Sequence, residues 1–127
     1  MLPNFGELTR VCTTAVCFAG IATTSWAADF MTEKEMLATL PGSTVHGISN
    51  QDNKTGWVQA YSKGRKKGKI AGLFGSDEYE SDWRVIDGQW CEDWGEGFHC
   101  WNFERVGANK LRVHQGGKPL KNLWTIK

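Results

Sequence analysis

Trp83-Arg84-Val85-Ile86-Asp87-Gly88-Gln89-Trp90-Cys91-Glu92 is the stretch that decides the fold. Apolar and polar residues alternate on both sides of Asp87-Gly88, the pair that favours a two-residue type I′ hairpin turn. That turn sets Val85 opposite Trp90 and Trp83 opposite Glu92. Successive strand side chains point to opposite faces, so a slip of one residue would exchange every one of them. Working outward, the next extended segment, Phe98 to Val106, carries Cys100. With Cys91 facing Cys100, Trp90 pairs with Trp101 and Glu92 with His99. A three-residue turn at Gly107-Ala108-Asn109 then pairs Phe103 with Val113 and Glu104 with Arg112. The three assumptions agree on one face: Trp83, Val85, Trp90, Trp101, Phe103 and Val113. Asp82, Arg84, Cys91, Cys100, Asn102, Glu104 and Arg112 take the other. The expectation is an aromatic interior with a disulfide on the outside.

The same period of two runs through the chain after Gly42. It predicts strands at Ser43 to Ser49, Gly56 to Ser62, Lys69 to Phe74, Tyr79 to Ile86, Gln89 to Asp93, Phe98 to Val106, Lys110 to His114 and Leu120 to Ile126. Gly and Asn/Asp turn residues separate them. About eight short antiparallel strands imply a mainly β fold, either a small up-and-down barrel or a two-sheet sandwich. One short helix precedes them. Thr32-Glu33-Lys34-Glu35 is a capping box, Met31 and Met36 form a hydrophobic staple, and Pro41-Gly42 ends the helix. Its expected place is a plug over one end of the sheet.

Residues Val11 to Thr24 are uncharged and apolar or small. Arg10 precedes them, and Ser25-Trp26-Ala27 follows as a small-x-small cleavage site. Residues 1–27 therefore read as a signal peptide and 28–127 as one β domain, exported to a periplasmic or secreted location. Cys12 and Cys17 depart with the leader. Cys91 and Cys100 remain, and an even pair in an oxidising compartment reads as a disulfide. With 15 Lys+Arg against 14 Asp+Glu, the chain is no globally basic nucleic-acid binder.

The motif Trp83-x-Val85-x-x-Gly88-x-x-Cys91, with Cys100-Trp101 beyond it, resembles a group of small secreted bacterial β-domain proteins. They share a signal peptide, a short helix and a W-x-V-x-x-G-x-x-C…C pattern. The group carries no assigned activity. The resemblance implies a β fold and an envelope location, and transfers no site. A more distant likeness is to small periplasmic β-barrels that inhibit lysozyme. Their inhibitory loop has no residue-by-residue counterpart here.

Two function classes follow. The first is a non-enzymatic envelope binding module for a small apolar or aromatic ligand, built from Trp83, Trp90, Glu92, His99, Trp101 and Phe103. Glu92 and His99 would supply the polar anchor at the mouth. The second is a protein-partner module, such as an inhibitor of a cell-wall-degrading enzyme, acting through an exposed loop. A cavity larger than roughly 300 Å³ favours the first. The basic run Lys63, Arg65, Lys66, Lys67 and Lys69 is a candidate for anionic lipid surfaces. The acidic run Asp77 to Asp82, expected on a loop, lacks the residue order of a helical calcium loop. His46 and His114 have no second ligand at metal spacing. No nucleophile motif is present, and neither an enzyme activity nor a cofactor, metal or nucleic-acid partner is expected.

Overall fold

The computed structural model describes residues 29–127, so the expected leader at 1–27 lies outside the described residues. Thr32 caps helix α1 (Glu33–Thr39): its hydroxyl accepts from the Glu35 N–H, and the Glu35 carboxylate accepts from the Thr32 N–H. A helix this short has little stability of its own. Packing holds it, because Met36 and Leu40 have no exposed surface.

The strands are β1 (Thr44–Ile48), β2 (Gly56–Tyr61), β3 (Lys67–Phe74), β4 (Asp77–Ile86), β5 (Gln89–Asp93), β6 (Phe98–Gly107), β7 (Lys110–Gln115), β8 (Lys118–Pro119) and β9 (Trp124–Ile126). Consecutive strands pair antiparallel from β1 to β7, and β9 pairs with both β7 and β1. The sheet thus closes into an eight-stranded barrel. Of the two architectures expected, the barrel is the one formed.

The register read from the sequence is the register found. Val85 opposes Trp90, Trp83 opposes Glu92, Trp90 opposes Trp101, Cys91 opposes Cys100, Glu92 opposes His99 and Phe103 opposes Val113. Asp87 and Gly88 both adopt positive φ, 51° and 78°, as the hairpin turn requires. Local differences appear. The β6–β7 register shifts between Arg105 and Gly107, so Gly107 pairs with Lys110 and the turn shrinks to Ala108-Asn109. The expected strand Leu120 to Ile126 starts only at Trp124. The reason is Asn122, whose N–H donates to Asn50 and whose amide donates to the Ser49 carbonyl and to Asn53. Leu120 keeps a bond to β7, its N–H donating to the Val113 carbonyl, and the Asn122 bonds stitch the residues after it to the β1–β2 loop.

An eight-stranded barrel leaves an interior just wide enough for side chains. At one end it is filled. Trp83 and Trp90 stack at 4.8 Å between centroids, and Phe103, Ile70, Val45 and Leu111 are fully or almost fully buried with them. α1 closes this end, anchored by Gly42 N–H on the Tyr61 carbonyl and Met31 N–H on the Phe103 carbonyl.

Three glycines within strands make room for rings. A Cβ at Gly47, Gly68 or Gly72 would overlap Trp57, Trp83 or Tyr79, respectively, each directly opposite on the neighbouring strand. These rings lie flat over their glycine instead of standing up from the sheet.

Candidate functional site

The end of the barrel away from α1 is open. There a cavity of about 510 Å³ is lined by aromatic rings from Trp57, Phe74, Tyr79, Trp94, Trp101 and Trp124. Ser49, Asn50 and Gln51 of the β1–β2 loop, with Gln115 and Leu120, form part of its lining, and Gln59 and Glu92 supply buried polar groups. Trp57 and Trp101 both pack edge-on to Trp124, with centroids 4.9 and 6.0 Å apart. Trp94, 44% exposed, sits in the loop between β5 and β6 and packs edge-on against Tyr79.

Glu92 is 1% exposed and belongs to a hydrogen-bonded network that crosses the barrel interior. The Tyr61 hydroxyl donates to its Oε2 at 2.6 Å, and the Trp90 indole N–H donates to the same oxygen at 2.9 Å. The Gln59 amide donates to the Tyr61 hydroxyl at 2.7 Å and, more distantly, to Glu92 Oε1 at 3.3 Å. Tyr79 completes the chain by donating to Gln59 Oε1 at 2.8 Å. Gly72 makes this last bond possible, since Gln59, Gly72 and Tyr79 form one inward row across β2, β3 and β4.

Burial pushes the Glu92 carboxyl up to about 7. The donors Tyr61, Trp90 and Gln59 favour the anion and limit the rise. Burial, followed by the Glu92 charge, also raises the Tyr61 and Tyr79 hydroxyls. Both tyrosines therefore act as neutral donors. A further polar atom of the lining residues, the buried Trp101 indole N–H, has no hydrogen-bond partner among the described residues.

Of the residues anticipated from the sequence, Glu92 and Trp101 line the cavity. Trp83, Trp90 and Phe103 lie deeper, in the filled half of the barrel, and Trp90 touches the site through its bond to Glu92. His99 opposes Glu92 in the register but is exposed, and the two form no ion pair. Glu92 turns inward to Tyr61 instead. Sequence reasoning missed Trp57, Phe74, Trp94 and Trp124 of the wall, and Gln59, Tyr61 and Tyr79 of the network. Trp57-x-Gln59-x-Tyr61 does carry a signal: a glutamine alternating with aromatics on an inward face is a polar group placed where a core residue belongs.

The disulfide joins Cys91 to Cys100 on the outer face. Arg84 lies opposite Cys91 and holds its guanidinium 4.5 Å from the Phe98 ring centre. Lys63, Arg65, Lys66, Lys67 and Lys69 are all exposed. Lys66 is paired with Glu33 of α1 at 3.0 Å and Lys69 with Asp82 at 2.8 Å. The acidic run expected on a loop is instead part of β4, where alternation sends its side chains to both faces. Among the described residues no group of three or more His, Cys, Asp or Glu is placed to hold a metal ion, and no helix is long and apolar enough to cross a membrane.

Compared with known proteins, the chain matches no family model, no curated protein and no solved structure.

Proposed function

We propose that the protein is a non-enzymatic binding module that takes a small apolar or aromatic ligand into the open end of its barrel. The observation that carries this reading is the cavity of about 510 Å³, walled by aromatic rings, with Gln59 and Glu92 as its buried polar groups. Its size and lining are those of small-molecule sites.

The rival reading, a module that grips an envelope protein through the loop after β5, has less behind it. The exposed aromatic of that loop, Trp94, packs on Tyr79 and belongs to the cavity wall. Contact with an anionic lipid surface falls within the proposal through Lys63, Arg65 and Lys67, the members of the basic run without an ion pair among the described residues. As part of the same proposal, residues 1–27 direct export to an oxidising compartment, with support from the Cys91–Cys100 bond. Intact mass of the exported protein, expected to begin at Ala28, checks this; retention of Met1 would overturn it.

The cavity is tested by nitrogen-15 NMR of the indole N–H groups during titration with two neutral aromatic probes, indole and 2-phenylethanol. The signals of Trp57, Trp94, Trp101 and Trp124 are expected to move, while those of Trp83 and Trp90 move less. Unchanged spectra at millimolar probe would overturn the reading.

A further inference from the structure

A carboxylate taken out of water is costly unless a charge or a full set of donors compensates it. Glu92 is 1% exposed, yet its hydrogen-bond donors, Tyr61, Trp90 and Gln59, and the Trp94 indole that also favours its anion, are all neutral. The ion pairs among the described residues involve Glu33, Asp82 and Glu104, not Glu92. Among the described residues that line the cavity, Glu92 alone is charged.

The bonds are also unevenly shared. Oε2 takes the short bonds from Tyr61 and Trp90, while Oε1 has only Gln59 at 3.3 Å. The Trp94 indole also favours the charged carboxylate, but it is neutral too, so the charge of Glu92 is met by no cation among the described residues. The cavity that Glu92 lines is also walled by Trp57, Tyr79, Trp94 and Trp101, and the faces of such rings carry negative potential and attract cations. An anion would meet repulsion from carboxylate and rings alike. A neutral ligand would leave the carboxylate uncompensated.

We infer that the ligand is a small organic ammonium, its cationic nitrogen on Glu92 and its apolar substituents against the aromatic walls. This rests on the ligand-binding reading of the cavity and narrows it to one chemical class. Such a ligand favours ionised Glu92, so binding tightens as that carboxyl loses its proton. Tyr61 on β2 and Tyr79 on β4, the other titratable groups of the network, stay neutral. The imidazole of His99, opposite on β6, is the one other group to control for.

The test compares 2-phenylethylammonium with 2-phenylethanol, which share a ring and a chain length and differ in charge. At pH 8 the wild type is expected to bind the ammonium about tenfold more tightly than the alcohol. Glu92→Gln should remove that preference, so that it binds the two probes with equal affinity. Equal affinities in the wild type would overturn the ammonium inference while the cavity reading survives. Binding of neither probe would overturn both. A second measurement does not depend on the variant folding: wild-type affinity for the ammonium, but not for the alcohol, should rise about tenfold from pH 5.5 to pH 8. The rise should persist in His99→Gln. A flat profile, or one abolished by His99→Gln, would overturn the assignment to Glu92.

Discussion

The ring of Tyr79 lies over Gly72, and its hydroxyl donates to Gln59 on the far side of β3. A side chain at residue 72 would occupy the space of the ring. Gly72→Val is therefore expected to expel Tyr79, break the bond to Gln59 and cost about 1–3 kcal/mol, the usual penalty of overpacking. Gly56→Ala is the control, because a Cβ there meets only the Gly47 carbonyl at 3.9 Å. Denaturant midpoints of the two variants check this: a lowered midpoint for the first, and a change within about 0.5 kcal/mol for the second.

Glu92 should make stability depend on pH. Its carboxyl is raised to about 7 in the folded chain from 4.5. The folded state therefore holds this proton more tightly than the unfolded state. The contribution is fully present below the unfolded value of 4.5 and is lost as pH rises to about 7 and beyond. The loss is on the order of 3 kcal/mol. Glu92→Gln, permanently neutral, should lose little over that interval and should gain on the wild type as pH rises. Urea unfolding of both proteins at pH 5 and pH 8 measures the difference. Parallel profiles would mean that Glu92 does not carry it.

The disulfide closes a loop of ten residues, for which the chain-entropy model gives about 2.7 kcal/mol. Replacing both cysteines with alanine should lower stability by roughly 2–3 kcal/mol and leave the barrel closed. Alanine is the suitable residue, since Cys91 has no exposed surface and a serine hydroxyl would be buried there. Thiol labelling of the denatured, unreduced mature protein should detect no free cysteine.

Met36 has no exposed surface and plugs the closed end from α1. Met36→Ala should cost about 2–5 kcal/mol, as buried methionines do. Because α1 sits opposite the cavity, probe affinity measured on the folded fraction should stay as in the wild type. A loss of affinity matching the loss of stability would mean that the two ends are coupled.

The central hairpins were legible because turn chemistry, alternation and the cysteine pair all demanded one register from Trp83 to Val113. The site was not legible from that logic, for two physical reasons. Register names the residue across the ladder, so it offered His99 to Glu92. The carboxyl instead reaches Tyr61 across the barrel interior, a contact that no local rule encodes. Glycine, in turn, reads in sequence as a turn residue. Gly47, Gly68 and Gly72 lie within strands or directly opposite strand residues, and their role is visible only once Trp57, Trp83 and Tyr79 are seen lying over them. The broken strand after Pro119 has the same kind of cause, since Asn122 answers to a loop that begins at Ser49.

β9 spans only Trp124–Ile126, yet it pairs with β1 on one side and β7 on the other. Until those residues dock, the barrel is an open ribbon whose β1 edge is bare and whose β7 edge is covered only by β8 at His114 and Gln115, so each is able to recruit a strand from another molecule. Val45 meets Ile126 across the seam, a contact between segments far apart in sequence, which forms slowly. Three residues thus act as the clasp of the whole wall. The interval before the clasp shuts is when the chain is most open to self-association.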